Sequence, residues 1–317
     1  MEQILFSINA VLPIFLIILL GYILKHFGLI HEAFVKQATK IVFKVSLPCM
    51  VFQSVSGVRI DELFSKDMMA LATFSVIATL VIFLIATLLS LKLLKEPLSR
   101  GPFIQGIFRS NFVIIGYPLI LNLFGDSGLA RAALLTAFIM PLFNILAVIA
   151  LTIFLPKKDD HIIKGTLLQI IKNPLIIAIF LALIFAGFQW QLPLFINQTL
   201  DYAGQLALPL SLMCIGAFFS WEKVKPSFTS ALIVTGLKMV IHPILLVIIA
   251  CLLGFRGDFL GIIFILFASP TAVSSFAMAE GMDNDSQLAA AIIIMTTGCA
   301  VVSIFIGVNV LTSLGLL

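Results

Sequence analysis

Two proline-containing stretches carry most of the polar chemistry in this otherwise apolar chain. Residues 109–124 read RSNFVIIGYPLILNLF, and residues 266–281 read LFASPTAVSSFAMAEG. Asn111, Gly116 and Tyr117 precede Pro118, while Ser269, Thr271, Ser274 and Ser275 surround Pro270. A proline inside a helix removes one backbone donor and crowds the carbonyl four residues back. In hydrocarbon such a break is tolerated only where it lines a cavity or is covered by protein. Pro118 and Pro270 are therefore each expected to begin the second half of a discontinuous helix, where the missing donor is no loss. Ser269 is placed to be an N-cap. Two helix starts meeting mid-membrane would turn free amides and partial positive charge toward an anion. Paired interruptions in matching positions of two halves point to a transporter's binding site. Taken singly, either proline is better explained as a kink.

Other candidates lie around these breaks. Asn111 is suited to hydrogen-bonding a carboxylate or to tying helices together. Arg109 either reaches the cytoplasmic interface or draws an anion inward. Thr271, Ser274, Ser275 and Met278 follow helical spacing and are expected on one face, toward protein or a cavity. Lys238 and His242 are four apart in another apolar run, and ionisable groups at such depth are costly and usually functional. Lys238 would offset a substrate carboxylate or pair with Glu280. His242 and Glu280 are candidates for coupling to protons, and Asn144, near Pro141, is a further polar group at depth. Helix packing alone is the competing account of Lys238, His242 and Asn144. Lys36, Lys40 and Lys44 share a helix face; the first two can reach an interface, whereas Lys44 lies deeper.

The elements that must position these groups are membrane helices. The 317 residues are 61% hydrophobic and 11% charged, with a mean hydropathy of +1.20, against about 25% charged in soluble domains. Ten apolar spans of about 20 residues are expected: 4–24, 34–56, 68–93, 102–124, 129–155, 168–188, 194–219, 228–253, 257–281 and 286–314. The first lacks the basic start and cleavage site of a signal peptide. Alternate loops divide their Lys and Arg eleven against four. Cytoplasmic loops hold the excess, so both termini are expected to be extracytoplasmic. The four cysteines lie in apolar segments without metal-ligand spacing and read as small buried hydrophobes. No long polar stretch leaves room for an appended soluble domain.

The prolines also suggest a repeat. Pro13 and Pro174 are 161 apart, as are Pro48 and Pro209, while Pro118 and Pro270 are 152 apart, a drift assigned to loop length. Five spans per copy, an odd number, force the copies into opposite orientations. Residues 1–156 and 173–317 would be the two repeats, joined by a cytoplasmic loop over 157–172.

With LPCMVF at 47–52, NPLIIAI at 173–179 and LPLSLMCIGAFFS at 208–220 added to the two broken segments, the chain resembles the auxin efflux carrier family along essentially its whole length. It lacks the long central loop of many plant members and is similar in length to bacterial ones, which are commonly described as permeases for malate or malonate. The resemblance implies a scaffold from spans 1, 2, 6 and 7 and a transport domain from spans 3–5 and 8–10, moving as an elevator or by rocking. It also implies a homodimer formed through the scaffold.

The leading expectation is thus a secondary carrier of a small organic anion, a dicarboxylate or an auxin-like acid. It needs no cofactor, with H+ or Na+ as candidate coupling ions, and lipid rather than nucleic acid around it. A cation antiporter would want acidic residues at the breaks, and residues 111–122 and 268–279 contain none. A membrane sensor is the remaining alternative. The chain has no phosphate-binding loop of the G-x-x-x-x-G-K-S/T type, and no protease motif within the spans that would make it an enzyme.

Overall fold

A computed structural model describes residue 13 and residues 16–56, 66–155, 172, 174–218 and 225–317. The start of the first expected span and nearly all of the 157–172 loop lie outside the described residues. Helices occupy almost everything that is described. They are α1 (Leu16–His26), α2 (Glu32–Ile41), α3 (Leu47–Ser56), α4 (Lys66–Leu93), α5 (Pro97–Phe108), α6 (Tyr117–Ile153) and α7 (Pro174–Gly187). The series continues with α8 (Leu194–Gln205), α9 (Ala207–Phe218), α10 (Phe228–Gly236), α11 (His242–Leu252), α12 (Gly257–Ala268), α13 (Ser274–Gly281) and α14 (Ser286–Ser313).

Among the described residues, five helices are long and apolar enough to cross a membrane: Lys66–Leu93, Ser127–Ile153, Leu194–Ala217, Phe228–Leu252 and Ser286–Ser313. Three shorter apolar helices accompany them, α1, α7 and α12. This is a multi-pass membrane protein. α4 shows the sorting a bilayer imposes. Its outward positions are Ile77, Leu80, Val81, Leu84, Ile85 and Leu88, whereas Ala72, Ser75, Ala78, Thr79, Ala86 and Ser90 face inward. Small residues let membrane helices approach closely where large apolar ones can meet lipid. The hydroxyl of Thr79 donates back to the Ser75 carbonyl at 2.8 Å, which satisfies it without a neighbour.

Glycine sets the tightest helix contact. A Cβ at Gly216 would lie 1.8 Å from the Ile18 carbonyl oxygen, and one at Gly21 2.1 Å from that of Met213, so α1 and α9 meet backbone to backbone. Helix α6 turns sharply at Gly125, whose φ of 65° and ψ of −163° suit glycine alone.

Packing joins α3 to α7 and α8, and α2 to α9. A second set joins α4, α5 and α6 with one another, α14 with α5, α10 and α13, and α12 with α6 and α11. Polar ties clamp this second set at each end. At one, Ser99 donates to Asp285 at 2.6 Å and Asn284 Nδ2 donates to the Leu151 carbonyl at 3.1 Å. At the other, Arg131 pairs with Asp258 and lies over the Phe259 ring.

Candidate functional site

Both interrupted helices are broken, and the breaks meet. Beyond α5 the backbone extends at Arg109, then runs through a π-helical turn (Phe112–Gly116) into α6. Beyond α12 it extends at Ser269 and resumes as helix only at Ser274. Ser110 and Thr271 form an isolated antiparallel bridge, and the Asn111 amide donates to the Pro270 carbonyl at 2.8 Å. Backbone groups freed by each break are thus partly satisfied by the other, as an apolar surrounding requires.

The first break is not at Pro118. That proline sits in the opening turn of α6, inside a continuous helical run that begins at Phe112. The interruption falls at Arg109–Asn111, with no proline in it. α5 and α12 are each 12 residues long and start 160 apart, at 97 and 257. On that offset Ser110, not Pro118, is the counterpart of Pro270, and the drift to 152 disappears. A break needs no proline where burial and cross-pairing satisfy the freed groups.

A cavity of about 80 Å³ opens beside the paired breaks. Arg109, Ser110 and Asn111 line it from one break and Ala272, Val273 and Ser274 from the other; Leu47 and Met50 of α3 and Ala207 and Leu208 of α9 form the opposite wall. One water needs about 10–15 Å³ measured this way, so several waters or a small acid would fit. Two helical runs begin at its edge, at Phe112 and Ser274, and the first turn of any helix leaves amides without intrahelical partners. Asn111 is buried, and its Nδ2 has no hydrogen-bond partner.

Arg109 does not reach an interface. It is 3% exposed and donates to Asn144 Oδ1 at 2.6 Å and to Gln105 Oε1 at 3.1 Å, with a further contact to the Met278 sulfur. Asn144 is held in turn by its own Nδ2 donating to the Met140 carbonyl at 2.9 Å. Lys238 is 1% exposed and donates to Ser110 Oγ at 2.6 Å. It does not pair with Glu280, which is half-buried at the far end of α13.

Several expected roles change. Ser269 does not cap the second half-helix: it ends α12, and its hydroxyl donates back to the Ile265 carbonyl at 2.6 Å. Thr271 lies in the extended break, off the face of Ser274 and Met278, and donates to the Gly106 carbonyl at 2.7 Å. Its amide donates to Thr296 Oγ1 at 3.2 Å. Ser275 is buried with an unpartnered hydroxyl and does not line the cavity. Gly116 gives room to a neighbour: a Cβ there would lie 2.7 Å from the Phe112 ring. His242 borders a separate apolar groove between α4 and α11, away from the breaks.

Ser110, Gln105 and Thr296 are the polar partners that the sequence reading missed. Gln105 stood one turn before Arg109 in an apolar run, which was a signal. Nothing local marked Thr296.

The family described as membrane transport protein matches residues 6–307. An uncharacterized transporter of Methanothermobacter thermautotrophicus is 26% identical over 303 residues, covering 94% of this chain and 96% of that one. An uncharacterized transporter of Methanocaldococcus jannaschii is 25% identical, over 91% of this chain and 94% of its own. A candidate malonate transporter of Rhizobium meliloti is 27% identical over 311 residues, covering 93% of each chain.

Proposed function

Because the chain belongs to the auxin efflux carrier family of membrane transport proteins, we propose that it is a secondary active transporter of a small organic anion, a dicarboxylate of the malonate or malate type. The observation that carries this reading is the cavity at the paired breaks. Buried Arg109 and Asn111 line it, the Asn111 side-chain Nδ2 has no partner, and two helices start at its edge. Helix N-termini and charge-assisted donors both favour carboxylates. The likeness to a candidate malonate transporter along 93% of the chain favours a dicarboxylate over an aromatic acid.

In this reading ten spans form two inverted repeats, residues 1–156 and 173–317, with both termini extracytoplasmic. The equal length and 160-residue offset of α5 and α12 support the repeat. Spans 3–5 and 8–10 move as one body against a scaffold of spans 1, 2, 6 and 7, through which two copies pair. The polar ties of Asp285 with Ser99, Asn284 with Leu151 and Arg131 with Asp258 join segments of the moving body to one another. The cavity lies where that body faces α3 and α9, so sliding would carry the site across the membrane. Glu280 and His242 remain candidates for coupling.

Reconstituted protein in liposomes tests this directly. Uptake of labelled malonate, malate and indole acetate is measured under imposed pH and sodium gradients. Saturable malonate or malate uptake that unlabelled substrate competes away is expected; a protein that carries neither sinks the proposal.

A further inference from the structure

Among the described residues the site holds two basic side chains and no acidic one. Arg109 and Lys238 are 3% and 1% exposed. Every partner described for them is neutral: Gln105, Asn144 and Met278 for the guanidinium and Ser110 for the ammonium. Among the described residues no Asp or Glu is buried anywhere in the protein. Isolated cations in a membrane interior normally find an anion, a carbonyl cage or water, and none of the described residues supplies the opposite charge here.

Both cations connect to the same cavity. Arg109 lines the cavity itself, and Lys238 reaches it through Ser110, whose hydroxyl it engages at 2.6 Å and which also lines the cavity. The two arrive from different elements, Arg109 from the break after α5 and Lys238 from the π-helical turn (Leu237–Ile241) between α10 and α11. Asn111, also at the cavity, adds a buried Nδ2 with no partner. That donor is unused until something accepts from it.

We propose that Arg109 and Lys238 are the resident counter-charges of a dianion. They set specificity for a substrate with two ionised carboxylates over one with a single charge, and they take the place of a co-bound metal cation. This rests on the reading of the cavity as the substrate site and deepens it. A dianion brings the loaded site to neutrality in one step. A monoanion leaves one cation uncompensated in a low-dielectric surrounding, where unpaired charge is most costly. Lys238 is a positioning residue to the extent that it acts through Ser110, and Arg109 is the group that would meet a carboxylate.

Labelled malonate uptake into liposomes, with unlabelled malonate and its monomethyl ester as competitors, tests the proposal. The ester keeps the size and loses one charge. For the wild type the dianion is expected to compete at least about tenfold better, one hydrogen-bonded charge being the difference. Uptake should be equal in sodium and choline media. Lys238→Met and Arg109→Gln should each narrow the ratio toward unity, and Lys238→Arg should restore it. Equal competition by the ester in the wild type overturns the inference without reference to any variant, as does a strict requirement for sodium. Malonate uptake with an unchanged ratio in both neutral variants overturns it while the transport function stands. A wild-type protein that carries no dicarboxylate overturns both. Thermal unfolding in detergent separates loss of fold from loss of charge, because a folded variant still shows a melting transition that malonate no longer shifts.

Discussion

The amide of Asn111 donates to the carbonyl of Pro270 at 2.8 Å, tying two helix breaks separated by 159 residues, from 111 to 270. Ser110 and Thr271 stand opposite each other in that pairing. Because the neighbouring residues exchange the hydrogen bond, this is the close type of antiparallel pair, with Cα atoms about 4.5 Å apart. Disulfides need about 4.4–6.8 Å. Ser110→Cys with Thr271→Cys, in a background freed of its other cysteines, should oxidise to an intramolecular bridge. The bridge would show as altered gel mobility after cleavage in the connecting loop. Failure to cross-link under oxidant would mean that the breaks do not meet.

Asn111 spends its backbone amide on the pairing and leaves its side-chain amide free. Asn111→Ala should therefore cost little stability, since removing an unpartnered buried polar group is close to neutral. It should weaken substrate by the value of a hydrogen bond to a charged group, about 1.5–3 kcal/mol. That corresponds to a KM or competition constant raised by roughly tenfold or more. Asn111→Asp places a carboxylate at the same position and should abolish uptake. Unaltered malonate uptake by both variants would remove Asn111 from the site.

Asn144 holds Arg109 without touching the cavity. Asn144→Leu leaves a buried guanidinium donor unsatisfied and should lower stability by about 1–3 kcal/mol, read as a lower melting temperature in detergent. Asn144→Asp makes the opposite trade. It supplies Arg109 with a permanent carboxylate, so the fold should be kept while malonate loses its counter-charge. The pair of variants separates the structural from the electrostatic use of one residue.

The α1–α9 contact is a test of fold rather than of transport. At Gly216 a Cβ would meet the Ile18 carbonyl oxygen at 1.8 Å, and a backbone atom cannot swing aside. Gly216→Ala should cost about 3 kcal/mol, at the upper end of overpacking, and greatly reduce recovery of folded protein. Gly187→Ala, where nothing lies within 4 Å, should be recovered like the wild type. Equal recovery of the two would show that these helices do not meet through glycine.

Much of this protein is written locally. Apolar runs and the two polar interruptions around residues 111 and 270 follow from what hydrocarbon rejects. Each is visible in a short window of sequence. Proline marks only the second of the two breaks. Proline forbids one hydrogen bond, but a break also needs somewhere for the freed groups to go, and that partner lies about 160 residues away. Residues 109–111 break without proline because residues 269–271 stand opposite them.

Residue type and depth were legible for Lys238 and Asn144, and residue type alone for Arg109; their partners were not. Sequence alone allowed Lys238 an acid such as Glu280, and the fold gives it Ser110 instead. It allowed Arg109 an interface, and the fold buries it on Asn144 and Gln105. Composition and periodicity decide which segments leave water, because that depends on each residue's own transfer energy. Which buried charge meets which neighbour depends on how separate helices pack, and only the tertiary structure decides it.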